Sequence, residues 1–531
     1  MEVQLKYPIG EQDFKSLREA ECVYIDKTEY IDKIIKSGGK YYFLARPRRF
    51  GKSLFLSTLQ YFFEGKRELF KDLYIDSTDW NWQPYPVLRL DLNSIKTSEV
   101  ALKGDLFDRV FSSWEKKYGI ENVGFSYAQR FSRIIEAAHI VTGQQVIILV
   151  DEYDKPLVRN LRDSKKFEEF REMLAEIYSN FKSCAEHIRL VFLTGVSRFS
   201  KLSVFSDLNN LKDITFSNEF ADICGITEHE LLNNLQEGIR MLGNAEGIGF
   251  NEAYRLLKDN YDGYRFTRTG SDIYNPWSLI NALSDKTIEN YWNETGKPTI
   301  VADALKSINA DIESLLNQYC NLSDLKGLDV TDINPTALLY QTGYITIKHY
   351  DRATDLYHLA PPNKEVKEGL FKELIPYYLK VRSYESNQII NNIIRGFNIG
   401  DPDLAMKALQ TYFADVDYSL RINNENNFHN AFFLLTHIIG LKTKAESHTS
   451  EGRIDIEIVT DNFIYIIELK YDHSPQEALD QIEERHYYRK YQMDRRKIFL
   501  IGAEFSSKSR CIESWKKKIL PIDVKFHNES L

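Results

Sequence analysis

Phe43-Leu44-Ala45-Arg46-Pro47-Arg48-Arg49-Phe50-Gly51-Lys52-Ser53-Leu54-Phe55-Leu56 leaves an apolar strand, passes through a tight loop and enters a helix. A phosphate-binding loop needs that order. Backbone N–H groups of the loop and of the helix start surround the anion, and a lysine neutralises its outer charge. On this reading Arg48, Arg49, Phe50, Gly51, Lys52, Ser53 and Leu54 border the phosphates of a nucleotide. The Ser53 hydroxyl reaches a magnesium ion. The generic pattern has glycine five positions before Gly51, and Arg46 stands there instead. Taken alone, Gly-Lys-Ser is a common chance string.

A second element changes the weight of the first. The apolar run Val146 to Val150 ends in Asp151-Glu152, the strand-plus-acids pattern that accompanies such a loop. Asp151 is read as holding magnesium through water, and Glu152 as polarising the attacking water. The next apolar run, Ile188 to Leu193, ends in Thr194-Gly195-Val196-Ser197-Arg198, whose polar groups stand where a terminal phosphate is sensed. Arg198 reads equally well as a surface arginine. These near-continuous apolar runs, with Lys40 to Ala45 and Val87 to Leu92, are strands covered on both faces. Helical stretches such as Phe167 to Phe181 lie between them, so the fold class is α/β with a parallel sheet, a P-loop core.

The chain of 531 residues exceeds one ordinary core and implies several domains. Its 68 Lys and Arg against 77 Asp and Glu leave a net charge of −9, so any contact with nucleic acid must come from a local patch. The cysteines Cys22, Cys184, Cys224, Cys320 and Cys511 are far apart without CxxC spacing. They read as buried thiols in a reducing compartment. The amino terminus lacks a secretion pattern and no apolar run reaches membrane-spanning length, so the expectation is a cytoplasmic chain with no membrane partner.

With these residues in view, the chain resembles the AAA-ATPase-like proteins common in gut Bacteroidetes and other anaerobes. The likeness is carried by Pro8-Ile9-Gly10, Tyr24-Ile25-Asp26-Lys27-Thr28, Arg46-Pro47-Arg48-Arg49-Phe50-Gly51-Lys52-Ser53, Asp151-Glu152-Tyr153-Asp154 and Leu208-Asn209-Asn210-Leu211. Tyr261-Asp262-Gly263-Tyr264 and Tyr274-Asn275-Pro276 continue it. In that family the arginine-rich loop stands where other P-loops have glycine, which makes Arg46 a family trait. The resemblance implies an ATP-binding core with Mg²⁺; it does not imply that hydrolysis occurs. For assembly into a ring, Arg159, Arg189 and Arg198 are equivalent arginine-finger candidates, and the oligomeric state stays open.

From about Ile226 to Tyr378 short helices dominate, and Ala337 to Ile345 reads as a helix entering a small hairpin. This stretch is expected to be a helical lid followed by a winged-helix-like module. From Ser383 the pattern resets. Strands are expected at Gly452 to Thr460, Asn462 to Tyr471 and Lys497 to Gly502, with Glu446 on a strand before them. Alternation sets Ile454, Ile456 and Ile458 on one face and Asp455 on the other, while Glu468 and Lys470 share a face. Asp455, Glu468 and Lys470 on adjacent strands suit phosphodiester cleavage. The carboxylates, completed by Glu446, hold Mg²⁺, and the lysine orients a water or offsets developing charge.

From about Phe428 to Trp515 this pattern is similar to the PD-(D/E)XK nuclease fold, although the proline that names the motif is absent. The resemblance implies a catalytic set of Asp455, Glu468 and Lys470, with Gln481 at the start of the following helix. His429 reads either as a neighbour of the site or as a packing histidine. Arg485, His486, Arg489, Lys490, Arg495, Arg496 and Lys497, interleaved with Tyr487, Tyr488 and Tyr491, form either a DNA-facing patch or a solvated helix face. The expected organisation is residues 1–225 as the ATPase-like domain, 226–380 as the lid and winged-helix-like region, and 381–531 as the nuclease-like domain. Two functions fit. One is an ATPase governing a metal-dependent nuclease on DNA; the other is a nucleotide-dependent switch or scaffold that binds nucleic acid or a protein without cutting.

Overall fold

Every residue of strands β1 (Tyr41–Ala45) and β3 (Val146–Asp151) is buried, which is why both read as unbroken apolar runs. With β2 (Val87–Asp91), β4 (Ile188–Gly195) and β5 (Lys212–Asp213) they form one parallel sheet in the order β2-β3-β4-β1-β5. The computed structural model describes residues 5–94, 105–121, 124–160, 163–198, 210–292, 301, 305, 312–327, 334–378, 386–414, 442–449, 452–491, 494–506, 508–509 and 511–520. Its contacts divide the chain into two compact units, Met1–Thr295 with Asn317–Val366 and Gly296–Leu316 with Lys367–Leu531.

In the first unit, helices α1 (Phe14–Glu19), α2 (Glu29–Lys36), α3 (Lys52–Phe63), α4 (Asp105–Tyr118), α5 (Tyr127–Thr142), α6 (Lys155–Arg159) and α7 (Ser164–Ser183) accompany the sheet. Helix α3 packs against β2, β3 and β4, and α5 packs against β3 and α7. Local chemistry sets the ends of α5: Ser126 and Gln129 make a reciprocal capping box, and Gly143 closes the helix in the left-handed conformation. The strand β4 separates β1, which leads into the phosphate loop, from β3, which ends in the acids.

A two-stranded antiparallel ladder of β6 (Ile226–Thr227) and β7 (Ile273–Tyr274) accompanies α8 (Glu228–Asn234), α9 (Gln236–Glu246), α10 (Phe250–Tyr261) and α11 (Pro276–Asp285), which pack around Leu231, Leu242, Leu257, Tyr261 and Leu279. There follow β8 (Gln318–Cys320), α12 (Leu322–Lys326), α13 (Pro335–Thr342), β9 (Thr346–Asp351) and β10 (Leu356–Ala360). The three strands pair antiparallel in the order β8-β10-β9, so the helix read from Ala337 does enter a hairpin. Asn275 and Asn334 cap α11 and α13, each with proline at the first helical position, where no N–H is needed.

Helix α14 (Lys364–Tyr378) begins in the first unit and runs into the second, which adds α15 (Ser386–Ile399) and α16 (Pro402–Ala414). Strands β11 (Lys442–Thr449), β12 (Gly452–Val459), β13 (Phe463–Tyr471), β14 (Lys497–Phe505) and β15 (Ile512–Ile519) form a five-stranded sheet in sequence order. Only β13 and β14 are parallel there, and α17 (Pro475–Glu484) crosses between them. Leu479 and Ile482 of α17 share a core with Ile464, Ile466, Ile498 and Leu500. The helix lies so close to β14 that a Cβ on Gly502 would come within 2.2 Å of the Pro475 carbonyl oxygen. The chain as a whole is α/β: a P-loop core and a carboxyl-terminal α/β sheet domain. No helix among the described residues is long and apolar enough to cross a membrane.

Candidate functional site

The phosphate loop leaves β1 and turns with positive φ at Arg49 (68°) and Gly51 (87°) before α3 begins. Open space surrounds the position of a Cβ on Gly51, so the loop backbone is exposed to a ligand there. Two such residues, alternating with ordinary ones, form the kind of N–H concavity that holds anions. Lys52, only 6% exposed, donates from Nζ to the carbonyl oxygens of Arg46 and Pro47, each at 2.9 Å. Burial lowers its pKa below the usual lysine range, and the carboxylates of Glu152 and Asp151 oppose that shift. The ammonium is curled onto its own loop, within the electrostatic reach of the two acids at the end of β3.

The arginines of the loop behave differently from one another. Arg46, 1% exposed, turns inward and donates to the carbonyls of Ala45, Thr215, Phe220 and Ala221. The missing glycine is thus replaced by an internal staple. Arg49 places its guanidinium 4.1 Å from the Trp277 ring centroid and donates to the Tyr291 carbonyl at 2.9 Å. What it offers the loop is backbone. Phe50 is buried edge-on against Tyr264 and Phe266, anchoring the loop in the core. Arg48 lies on the loop, and Ser53 is the second residue of α3. Gly51 and Leu54 face an apolar cleft of about 620 Å³, open mouth included, whose walls include Pro8, Tyr24, Cys224, Ile226 and Pro276.

At the end of β3, Asp151 is buried and accepts from Thr194 Oγ1 at 2.7 Å, so the exit of β4 meets the acid directly. Glu152 takes φ +50° and pairs with Lys155 at 2.9 Å. Asp91, in register with Asp151, adds a third acid at the exposed end of β2. Arg198 is drawn to the edge strand, where its guanidinium meets Asp213 at 3.0 Å. Its backbone N–H donates to Gln341 Oε1.

In the second unit, Glu468 (2% exposed) and Lys470 lie along β13, 3.8 Å apart. Gln481 joins them: Lys470 Nζ donates to its Oε1 at 2.6 Å, and its Nε2 donates to Glu468 Oε1. Gln481 belongs to the second half of α17 rather than to its start. Ile456 pairs with Ile467, so the register continued by one residue faces Asp455 with Glu468. Glu446 and Asp455 fall between the same two pairs, Ala445 with Ile456 and Ser447 with Ile454. Backbone register therefore gathers Glu446, Asp455 and Glu468 on three neighbouring strands. His429 and the Leu208-Asn209 stretch lie outside the described residues.

The basic patch is partly spent on internal contacts. Lys490 pairs with Glu457, fully buried on β12, and the Tyr491 hydroxyl donates to the same carboxylate. Arg496 forks onto Asp494 and the Thr460 carbonyl, and Tyr487 is buried in the core beneath α17. Arg485, Arg489, Arg495 and Lys497 are exposed.

Residues 8–205 match the family described as "Predicted AAA-ATPase", and residues 423–515 match the PD-(D/E)XK nuclease superfamily. A protein of Azotobacter chroococcum mcd 1, named "Uncharacterized protein in vnfD 5'region", is 34% identical over 520 residues, 96% of this chain and 98% of that protein. The chain belongs to the AAA-ATPase-like proteins that carry a PD-(D/E)XK nuclease domain. Within this family frame, the ATPase span contains Lys52, Asp151, Glu152 and Arg198, and the nuclease span contains Glu446, Asp455, Glu468, Lys470 and Gln481. Pattern reading passes over Arg46 as a staple, Asp91 as a third acid and Glu457 as the anchor of Lys490. The first and last needed the partner strand or loop; Asp91 was visible as the acid ending an apolar run.

Proposed function

We propose that the first unit binds and hydrolyses ATP and that the nuclease-like domain of the same chain is a metal-dependent site acting on DNA. The observation that carries the ATP reading is buried Lys52, held on its own loop within the electrostatic reach of Asp151 and Glu152, with its neighbours Gly51 and Leu54 lining the apolar cleft. In this reading the loop N–H groups and Lys52 take the phosphates, and Ser53 and Asp151 hold Mg²⁺. The cleft takes the base. Glu152 orients the attacking water, and Thr194 holds Asp151 in place.

The nuclease reading rests on the Glu468–Gln481–Lys470 chain and on the register that brings Asp455 opposite Glu468. Asp455, Glu468 and Glu446 would hold Mg²⁺, which supplies charge stabilisation at the phosphodiester. Gln481 fixes the Lys470 ammonium beside Glu468, so the lysine is oriented before substrate arrives. A second reading, a nucleotide-dependent switch whose terminal domain binds a partner without cutting, draws support from Lys490 and Arg496, which serve internal pairs.

The test is cleavage of single-stranded, duplex and branched DNA by the full chain with Mg²⁺ or Mn²⁺, with and without ATP, beside Asp455→Ala. Metal-dependent cutting that the substitution abolishes supports the nuclease. An intact DNA substrate under every condition moves the conclusion to the switch.

A further inference from the structure

The phosphate loop and the strand acids absorb most of the motif residues, but Asp154, last in the string Asp151-Glu152-Tyr153-Asp154, has no part in that chemistry. It is 2% exposed, so it reaches neither solvent nor a ligand in the cleft. Its carboxylate accepts the N–H of Ser197 at 2.6 Å and that of Val196 at 3.2 Å. Both amides belong to the chain just after β4. The same two turns are tied at three further points: Tyr153 N–H donates to the Thr194 carbonyl, the Glu152 N–H to Thr194 Oγ1, and the Tyr153 hydroxyl to the Ser197 carbonyl.

The fit between the turns is tight. A Cβ on Gly195 would stand 2.6 Å from the Tyr153 ring and 2.8 Å from Asp154 Oδ1. Glu152, between them, sits at φ +50°, a left-handed conformation that a non-glycine residue keeps only where its surroundings over-determine it. The clamp supplies that determination. The residues it aligns are Asp151 and Glu152 on one turn and Thr194 on the other.

We propose that Asp154 is a positioning residue that locks the turn after β3 to the exit of β4, holding Glu152 and Thr194 in one geometry during turnover. The proposal rests on the ATP reading above and assigns Asp154 to turnover rather than to nucleotide affinity. Affinity comes from the loop and the cleft; Asp154 bonds to the amides after β4 and reaches Lys52 only through its charge.

Asp154→Asn keeps the size of the side chain but turns one acceptor into a donor against a backbone N–H. Gly195→Ala strains the same joint from the β4 side. Both are compared with the unmodified chain and with Lys52→Ala, by binding of a fluorescent ATP analogue, by phosphate release and by thermal melting. Both clamp variants should bind within about threefold of the unmodified chain while kcat falls roughly a hundredfold, as a displacement near 1 Å produces. Unchanged kcat, or affinity and turnover lost in parallel, overturns the proposal. If the unmodified chain and Lys52→Ala alike fail to bind nucleotide, the ATP reading is what fails. Amide hydrogen exchange at Val196 and Ser197 then decides the clamp: faster exchange in Asp154→Asn upholds it, and equal exchange removes it.

Discussion

The Arg46 guanidinium lies over the ring of Phe266, 4.3 Å from its centroid, inside the fold and turned away from the loop it begins. Desolvation lowers its pKa, and four backbone carbonyls and an aromatic face compensate for the missing water. Restoring the generic glycine, Arg46→Gly, should therefore harm the protein. It leaves the Thr215, Phe220 and Ala221 carbonyls without their donor, a loss of about 3 kcal/mol by the cost of removing charged hydrogen bonds from a buried site. Chemical unfolding of both chains measures it, and an equally stable variant would contradict the staple.

Lys52 and Glu152 separate binding from turnover. Lys52→Ala removes the one ammonium held inside the loop and should abolish binding of an ATP analogue. Glu152→Gln keeps shape and loses the base, so binding should persist while phosphate release falls by a factor of about a hundred or more. Retained affinity in the first variant would sink the phosphate site, and full turnover in the second would remove Glu152 from its proposed role.

Glu365, at the start of α14, receives the N–H groups of Tyr291 at 2.7 Å and Trp292 at 2.8 Å. Burial raises its pKa from 4.5 to about 7, against the Ser278 hydroxyl and those two N–H groups, which lower it. The folded state holds this proton more tightly than the unfolded one between those two values. Stability from Glu365 is therefore greatest below pH 4.5 and is lost as pH rises toward 7, by about 3 kcal/mol in all. Glu365→Gln has no such proton. Relative to the variant, the unmodified chain should lose stability on going from acidic to mildly basic pH. An equal difference by denaturant unfolding at both ends would refute the shift.

Gln481 is the link between Glu468 and Lys470, so Gln481→Ala should free the lysine and take one donor from Glu468 while leaving every acid in the chain. Under the nuclease reading, metal-dependent cleavage should drop by roughly a hundredfold, the scale of losing orientation by one side chain. The first unit should hydrolyse ATP at its former rate. Undiminished cutting would make Gln481 a packing residue.

Much of this molecule is legible along the chain. Unbroken apolar runs mark β1, β3 and β4 because strands buried on both faces admit no polar alternation, and Gly51-Lys52-Ser53 marks the loop because it needs a left-handed turn and a cation. β13 reads likewise as an apolar run that carries Glu468, since it is buried from Ile464 to Leu469. The order β2-β3-β4-β1-β5 is not legible, since hydrogen bonds between strands far apart in sequence leave no local trace. For the same reason Arg46, Arg49 and Lys490 look alike as cations among cations. Their roles as staple, strut and counter-ion depend on Phe266, Trp277 and Glu457, partners brought near only by folding. Local sequence decides which backbone conformations and which chemistry are present; burial and long-range contact decide which of those groups remain available to a ligand.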